Sequence, residues 1–162
     1  MERLPENLLH AIVGEEPALP KKKKRADPAQ HWTPAVLLER AAYLRKMARA
    51  GDGSASETIG EYPNHKAMLS FRARSGEVEV HEEWADLFVV LAGAGSMVVG
   101  GRVEGERVIG PGEIRGDAIE GGTRLELHAG NVIHVPAKTP HLVLLTGDKT
   151  LTSLVIKIRE IK

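Results

Sequence analysis

Cysteine is absent from the 162-residue chain. Disulfides, thiolate zinc sites and cysteine nucleophiles are therefore excluded, and any metal must be held by His, Asp or Glu. Aromatic side chains are scarce, two each of Phe, Tyr and Trp, which leaves little basis for stacking on nucleobases or aromatic ligands. Neither sign of charge is in excess, with 22 basic and 22 acidic residues, so no overall field draws the chain to nucleic acid. No apolar run approaches the roughly 18 residues of a membrane span. "MERLPENLLHAIVGEEP" places acids and a proline where a signal peptide needs an apolar core. These absences lead to the expectation of a cytoplasmic protein without nucleic-acid or membrane partners. The length suits one domain with an appendage and allows a core that needs no covalent staples.

What is present changes character along the chain. Residues 1–30 read as an extended arm. The short apolar run "NLLHAIV" closes at Gly14, and the prolines and "KKKKR" that follow oppose regular structure. No aromatic residue is interleaved with those cations, so they read as a solvated tail. "TPAVLLERAAYLRKMARAGDG" predicts a helix within residues 31–56. Thr33 can cap it, Pro34 suits its first turn, Leu37, Ala41, Leu44 and Ala48 recur at helical spacing, and Gly51 can end it. The apolar stripe must pack on the following domain or on a partner subunit.

From about residue 66 the apolar period shortens to two, and residues 57–162 are assigned to a β-domain. Eight or so short runs, among them "KAMLSFRAR", "GEVEVH", "DLFVVLAG", "NVIHV" and "SLVIKI", are separated by Gly, Asn, Asp or Pro. They predict an all-β antiparallel sandwich or barrel with an N-terminal helical extension. "GPGEIRGDAIEGG", residues 110–122, is expected to be a surface excursion. The apolar "SLVIKI" run suggests an edge that needs cover, hence a homodimer.

Two stretches can carry chemistry. In "GEVEVHEEWADLFVVLAGAG" the alternation of a strand sets Val78 and Val80 on one face and Glu77, Glu79 and His81 on the other, a carboxylate and an imidazole at metal-ligand spacing. Glu83 continues that face, whereas Asp86 has the opposite parity and joins only if the chain bends between residues 82 and 85. The face can equally be the solvent side of the strand. In "GNVIHVPAKTPHLVLL" His141 follows a proline-bracketed turn, while His134 shares a face with Val132 and Pro136 and reads as a packed histidine, or as a supporting group or general base if that face is interior. His65 opens the first recognised strand within reach of a barrel mouth.

The same residues resemble the two motifs of the cupins, small jelly-roll barrels. Gly76, Glu79-Val80-His81, Asp86 and Gly93 resemble the first motif; Gly130, Pro136 and His141 resemble the second. Glu79 stands where the family's first histidine usually is, Asp86 replaces a longer Glu, and Lys138 and Leu145 occupy positions usually held by Gly and Asn. The resemblance implies a jelly-roll barrel holding one divalent transition metal through His81, Asp86, His141 and Glu79, with Glu83 as the alternative carboxylate. By position alone, His134 and His65 are candidate supporting groups, against the plainer readings of a packed and a loop histidine. Two imidazoles with one or two carboxylates suit iron, manganese, zinc, nickel or cobalt. The activity expected is that of a metal-dependent oxygenase or lyase/isomerase acting on a small organic molecule; a non-catalytic module that binds a small ligand or metal is the alternative.

Overall fold

The computed structural model describes residues 29–160. Most of the arm expected over residues 1–30 lies outside the described residues. Helix α1 (Pro34–Ala50) forms as its periodicity predicts. The Thr33 hydroxyl accepts the Val36 N–H at 3.3 Å, and the Gly51 N–H donates to the Met47 carbonyl at 3.0 Å.

Twelve strands follow among the described residues: β1 (Ser54–Glu61), β2 (His65–Arg72), β3 (Val78–His81), β4 (Trp84–Val99), β5 (Arg102–Glu104), β6 (Arg107–Gly110), β7 (Glu113–Gly116), β8 (Ala118–Glu120), β9 (Thr123–His128), β10 (Val132–Val135), β11 (His141–Leu144) and β12 (Leu151–Arg159). All pairings are antiparallel. The main sheet runs β1-β2-β12-β4-β11-β3-β7-β6, with β9 and β10 also paired to β4. The 16-residue β4 links the two halves of the barrel. Its first part pairs with β10 and β12, and its last part with β9 and β11. The change of partners falls at Gly93, whose φ is +85° and where a Cβ would come within 1.9 Å of the Thr150 carbonyl oxygen.

Alternation along β2 shows why the helix is there. Ala67, Leu69 and Phe71 face Ala41, Leu44 and Ala48 of α1, forming one apolar cluster with Ile59, while Lys66, Met68, Ser70 and Arg72 point into the barrel. A buried ion pair ties the helix to β1: Arg40 Nε donates to Glu57 Oε1 at 2.7 Å, and Arg40 is only 2 % exposed. A second cluster, Val90, Met97, Leu127, Val135, Val143 and Leu151, fills another part of the barrel.

Three expectations are corrected. Strand formation begins at Ser54, inside the span 31–56 assigned to the helix, because "SASETIGE" has no apolar alternation to reveal it. Residues 110–122 are not merely an excursion. They contain β7 and β8, and β7 pairs with β3 along its whole length, a non-local pairing hidden by closely spaced glycines. The "SLVIKI" run is not an edge, since β12 is paired on both sides, with β2 and with β4. It therefore supplies no reason for a second subunit. No helix among the described residues is long and apolar enough to cross a membrane.

Candidate metal centre

Val78 and Val80 on β3 are buried in the core, so the pleat turns Glu79 and His81 to the opposite side, into a cavity of about 470 Å³. β3 ends at His81, and the turn at Glu82 and Glu83 resets the parity, so that Asp86 on β4 lines the same cavity. His141 opens β11 directly opposite Glu79. The turn before it is fixed to the centre through Lys138, whose N–H donates to the His81 carbonyl at 2.7 Å. Lys138 has φ +64°, the left-handed conformation that glycine adopts at little cost.

The four side chains converge. Glu79 Oε2 lies 3.3 Å from His81 Nε2; Asp86 Oδ2 lies 3.4 Å from His81 Nε2 and 3.5 Å from His141 Nε2. Donor atoms of Glu79, His81 and His141 are all within 4.8 Å of one another. The outer nitrogens of both rings are occupied. His81 Nδ1 is 2.8 Å from Glu113 Oε2, and His141 Nδ1 is 3.2 Å from the Thr139 carbonyl oxygen. An ionised carboxylate and a carbonyl only accept, so both Nδ1 atoms donate and both Nε2 atoms face the centre. His141 Nε2 is buried with no hydrogen-bond partner among the described residues. An imidazole oriented through Nδ1 with an unsatisfied inward Nε2 has the arrangement of a metal ligand. The donor set could hold a divalent transition metal.

The electrostatics follow from this crowding. Burial raises the pKa of Glu79, but its hydrogen bond to His81 and the nearby His141, Arg115 and Arg72 outweigh burial and hold it to about 2. Burial opposes a charge on His81, yet hydrogen bonds to Asp86 and Glu79 prevail and push it up to about 9. The Asp86 carboxyl, despite burial, is held well below the usual carboxylate range by His141, His81 and Lys157. Lys157 Nζ donates to Asp86 Oδ1 at 2.7 Å and lies 2.9 Å from His81 Nε2.

Residues of both motif segments, far apart in sequence, thus meet in one cavity of an antiparallel jelly-roll barrel. The fold is a jelly-roll barrel like that of the cupins.

Neither a family model nor a curated protein sequence matches the chain. Solved structures resemble it at low identity. The TT1209 protein of Thermus thermophilus aligns at 17 % identity and a TM-score of 0.49, covering 67 % of this chain and 85 % of that one. KdgF from a Halomonas species aligns at 18 % identity and a TM-score of 0.46, covering 68 % and 84 %. The polyketide cyclase RemF of Streptomyces resistomycificus aligns at 16 % identity and a TM-score of 0.48, covering 67 % and 66 %. Likeness at this level says nothing of activity.

Within the barrel the remaining candidates fall away from the centre. Glu83 is on the outside, paired with Arg159 at 3.0 Å, because the turn into β4 carries it away from the face that β3 alternation predicted. His134 is exposed on β10 beside Val132, since the buried side of that strand belongs to Val135, and it does not line the cavity. His65 stacks on Tyr62 with ring centroids 4.4 Å apart, bonds to Asn64, and does not line the cavity. Trp84 does line it, with Lys66 Nζ 5.3 Å from its ring centroid. Sequence reasoning missed Glu113, Arg115, Arg72 and Lys157. Strand parity offered a signal for two of them: Arg72 shares its face of β2 with Met68, and Lys157 shares its face of β12 with Val155.

Proposed function

We propose that this protein is a metal-dependent cupin enzyme acting on a small organic acid, with Glu79, His81, Asp86 and His141 as the metal ligands. The observation that carries the reading is the pair of imidazoles, each oriented from behind through Nδ1, whose Nε2 atoms face two carboxylates at 3.3–3.5 Å. A bound divalent metal supplies a Lewis acid that polarises a carbonyl, enolate or carboxylate oxygen. The chain's own groups determine what reaches it. Four basic side chains in the cavity wall, Lys66, Arg72, Arg115 and Lys157, balance four carboxylates, Glu77, Glu79, Asp86 and Glu113. A divalent cation among them leaves the cavity with excess positive charge, which an organic anion complements. Met68, Phe88, Val143 and Val155 form an apolar lining for the rest of the ligand, and the volume suits a small molecule. Oxygenation and lyase or isomerase chemistry both fit such a site.

The test is metal content by mass spectrometry for wild type and His141→Ala, followed by oxygen-consumption and product screens over small carboxylic acids. A metal present in wild type and lost in the variant, with turnover of an acid, supports the reading. Metal-free protein after reconstitution with each candidate ion overturns it and leaves a ligand-binding barrel.

A further inference from the structure

The metal centre has a cationic neighbour. Lys157 is directly opposite Asp86 in the β12–β4 register, and the strand pleat sends its side chain to the same side as Val155, into the centre. Its Nζ lies 2.7 Å from one oxygen of Asp86 and 2.9 Å from the inward Nε2 of His81. These are the same two side chains that would coordinate a metal. The ammonium holds Oδ1 of Asp86, while both imidazoles face Oδ2 of the same carboxylate. A metal on Asp86 and His81 and the ammonium would thus be like charges drawing on the same two side chains, and each disfavours the other.

We propose that Lys157 is an internal counter-cation that competes with the metal, so that metal enters only as the ammonium leaves Asp86 and His81. The inference rests on the metal-centre reading above and adds a specificity-determining residue to it. Without metal, Lys157 satisfies the buried Asp86 carboxylate, so the centre is a structured, charge-compensated state and does not collapse into two repelling carboxylates. His141 Nε2, which Lys157 does not engage, remains the open donor. Metal affinity is thereby set lower than the donor set alone would give, and the displaced ammonium stays tethered beside the cavity, where it can meet an anionic ligand.

The experiment is titration of metal-free protein with Co²⁺ alone, followed by its visible spectrum, for wild type, Lys157→Met and Lys157→Gln. Glutamine keeps a hydrogen-bond donor for Asp86 without the charge, and so covers the case in which the methionine variant does not fold. The expected result is Co²⁺ binding about tenfold or more tighter in the neutral variants, the scale of one charge-assisted contact no longer displaced. Equal affinity in wild type and a folded variant overturns the role of Lys157 while leaving the metal centre standing. Absence of Co²⁺ binding in all three overturns the metal centre, and this inference with it.

Discussion

His81 Nδ1 and Glu113 Oε2 are 2.8 Å apart across a directly opposed pair of β3 and β7. The carboxylate holds the ring with Nε2 inward and makes that nitrogen more basic. Glu113→Gln is expected to weaken Co²⁺ binding about 10- to 100-fold, the usual cost of losing such a partner, as measured by competition with a chelating dye. An unchanged affinity would reduce Glu113 to a piece of cavity wall.

Stability of the metal-free protein should peak in mildly acidic buffer. Glu79 titrates at about 2 in place of 4.5, so its stabilising contribution is complete above pH 4.5 and is lost as pH falls toward 2. His81 titrates at about 9 in place of 6.5, so its contribution is complete below pH 6.5 and is lost as pH rises toward 9. Both are fully present only between about pH 4.5 and 6.5. Thermal melts in the presence of chelator should show the maximum there; a maximum in alkaline buffer would contradict this account.

Metal binding should have the opposite pH dependence on the alkaline side. A metal needs the neutral imidazole, and His81 holds its proton up to about pH 9, so affinity should climb with pH until that point. Calorimetric titration in buffers of different ionisation enthalpy should show proton release on binding at neutral pH. Affinity independent of pH would place the metal away from His81.

The Arg40–Glu57 pair anchors α1 to the barrel from a largely buried position. Glu57→Ala leaves the guanidinium without that carboxylate and should cost about 3 kcal/mol, the low end for a broken buried pair because Glu57 keeps some exposure. Urea denaturation measures it. Replacing both residues by methionine should recover much of the loss, since the paired charges carry their own desolvation cost.

Two motif glycines should differ. Gly93 and Gly130 both have positive φ, +85° and +89°, but a Cβ at Gly93 would collide with the Thr150 carbonyl, whereas nothing lies within 4 Å of one at Gly130. Gly130→Ala should cost about 1–2 kcal/mol from backbone strain alone, and Gly93→Ala distinctly more. Equal losses in denaturant midpoint would mean that β4 shifts freely at Gly93.

Local pattern determined much of this protein. A 3.6-residue period with Thr33, Pro34 and Gly51 at its ends specified α1, because capping and amphipathicity act within a few residues. A two-residue period specified most of the strands, and motif spacing specified Glu79, His81, Asp86 and His141, which one cavity brings together. The tertiary structure alone decided the partners of those residues. Glu113 comes from a glycine-rich stretch whose strand forms by pairing with β3 and β6, and Lys157 reaches Asp86 only through the register of β12 on β4. The turn at Glu82 and Glu83 likewise admitted Asp86 and sent Glu83 outside, which parity counted along one strand could not foresee. Strand parity is a property of neighbours in sequence; register and the cost of leaving a buried charge unpaired are properties of residues brought together from a distance.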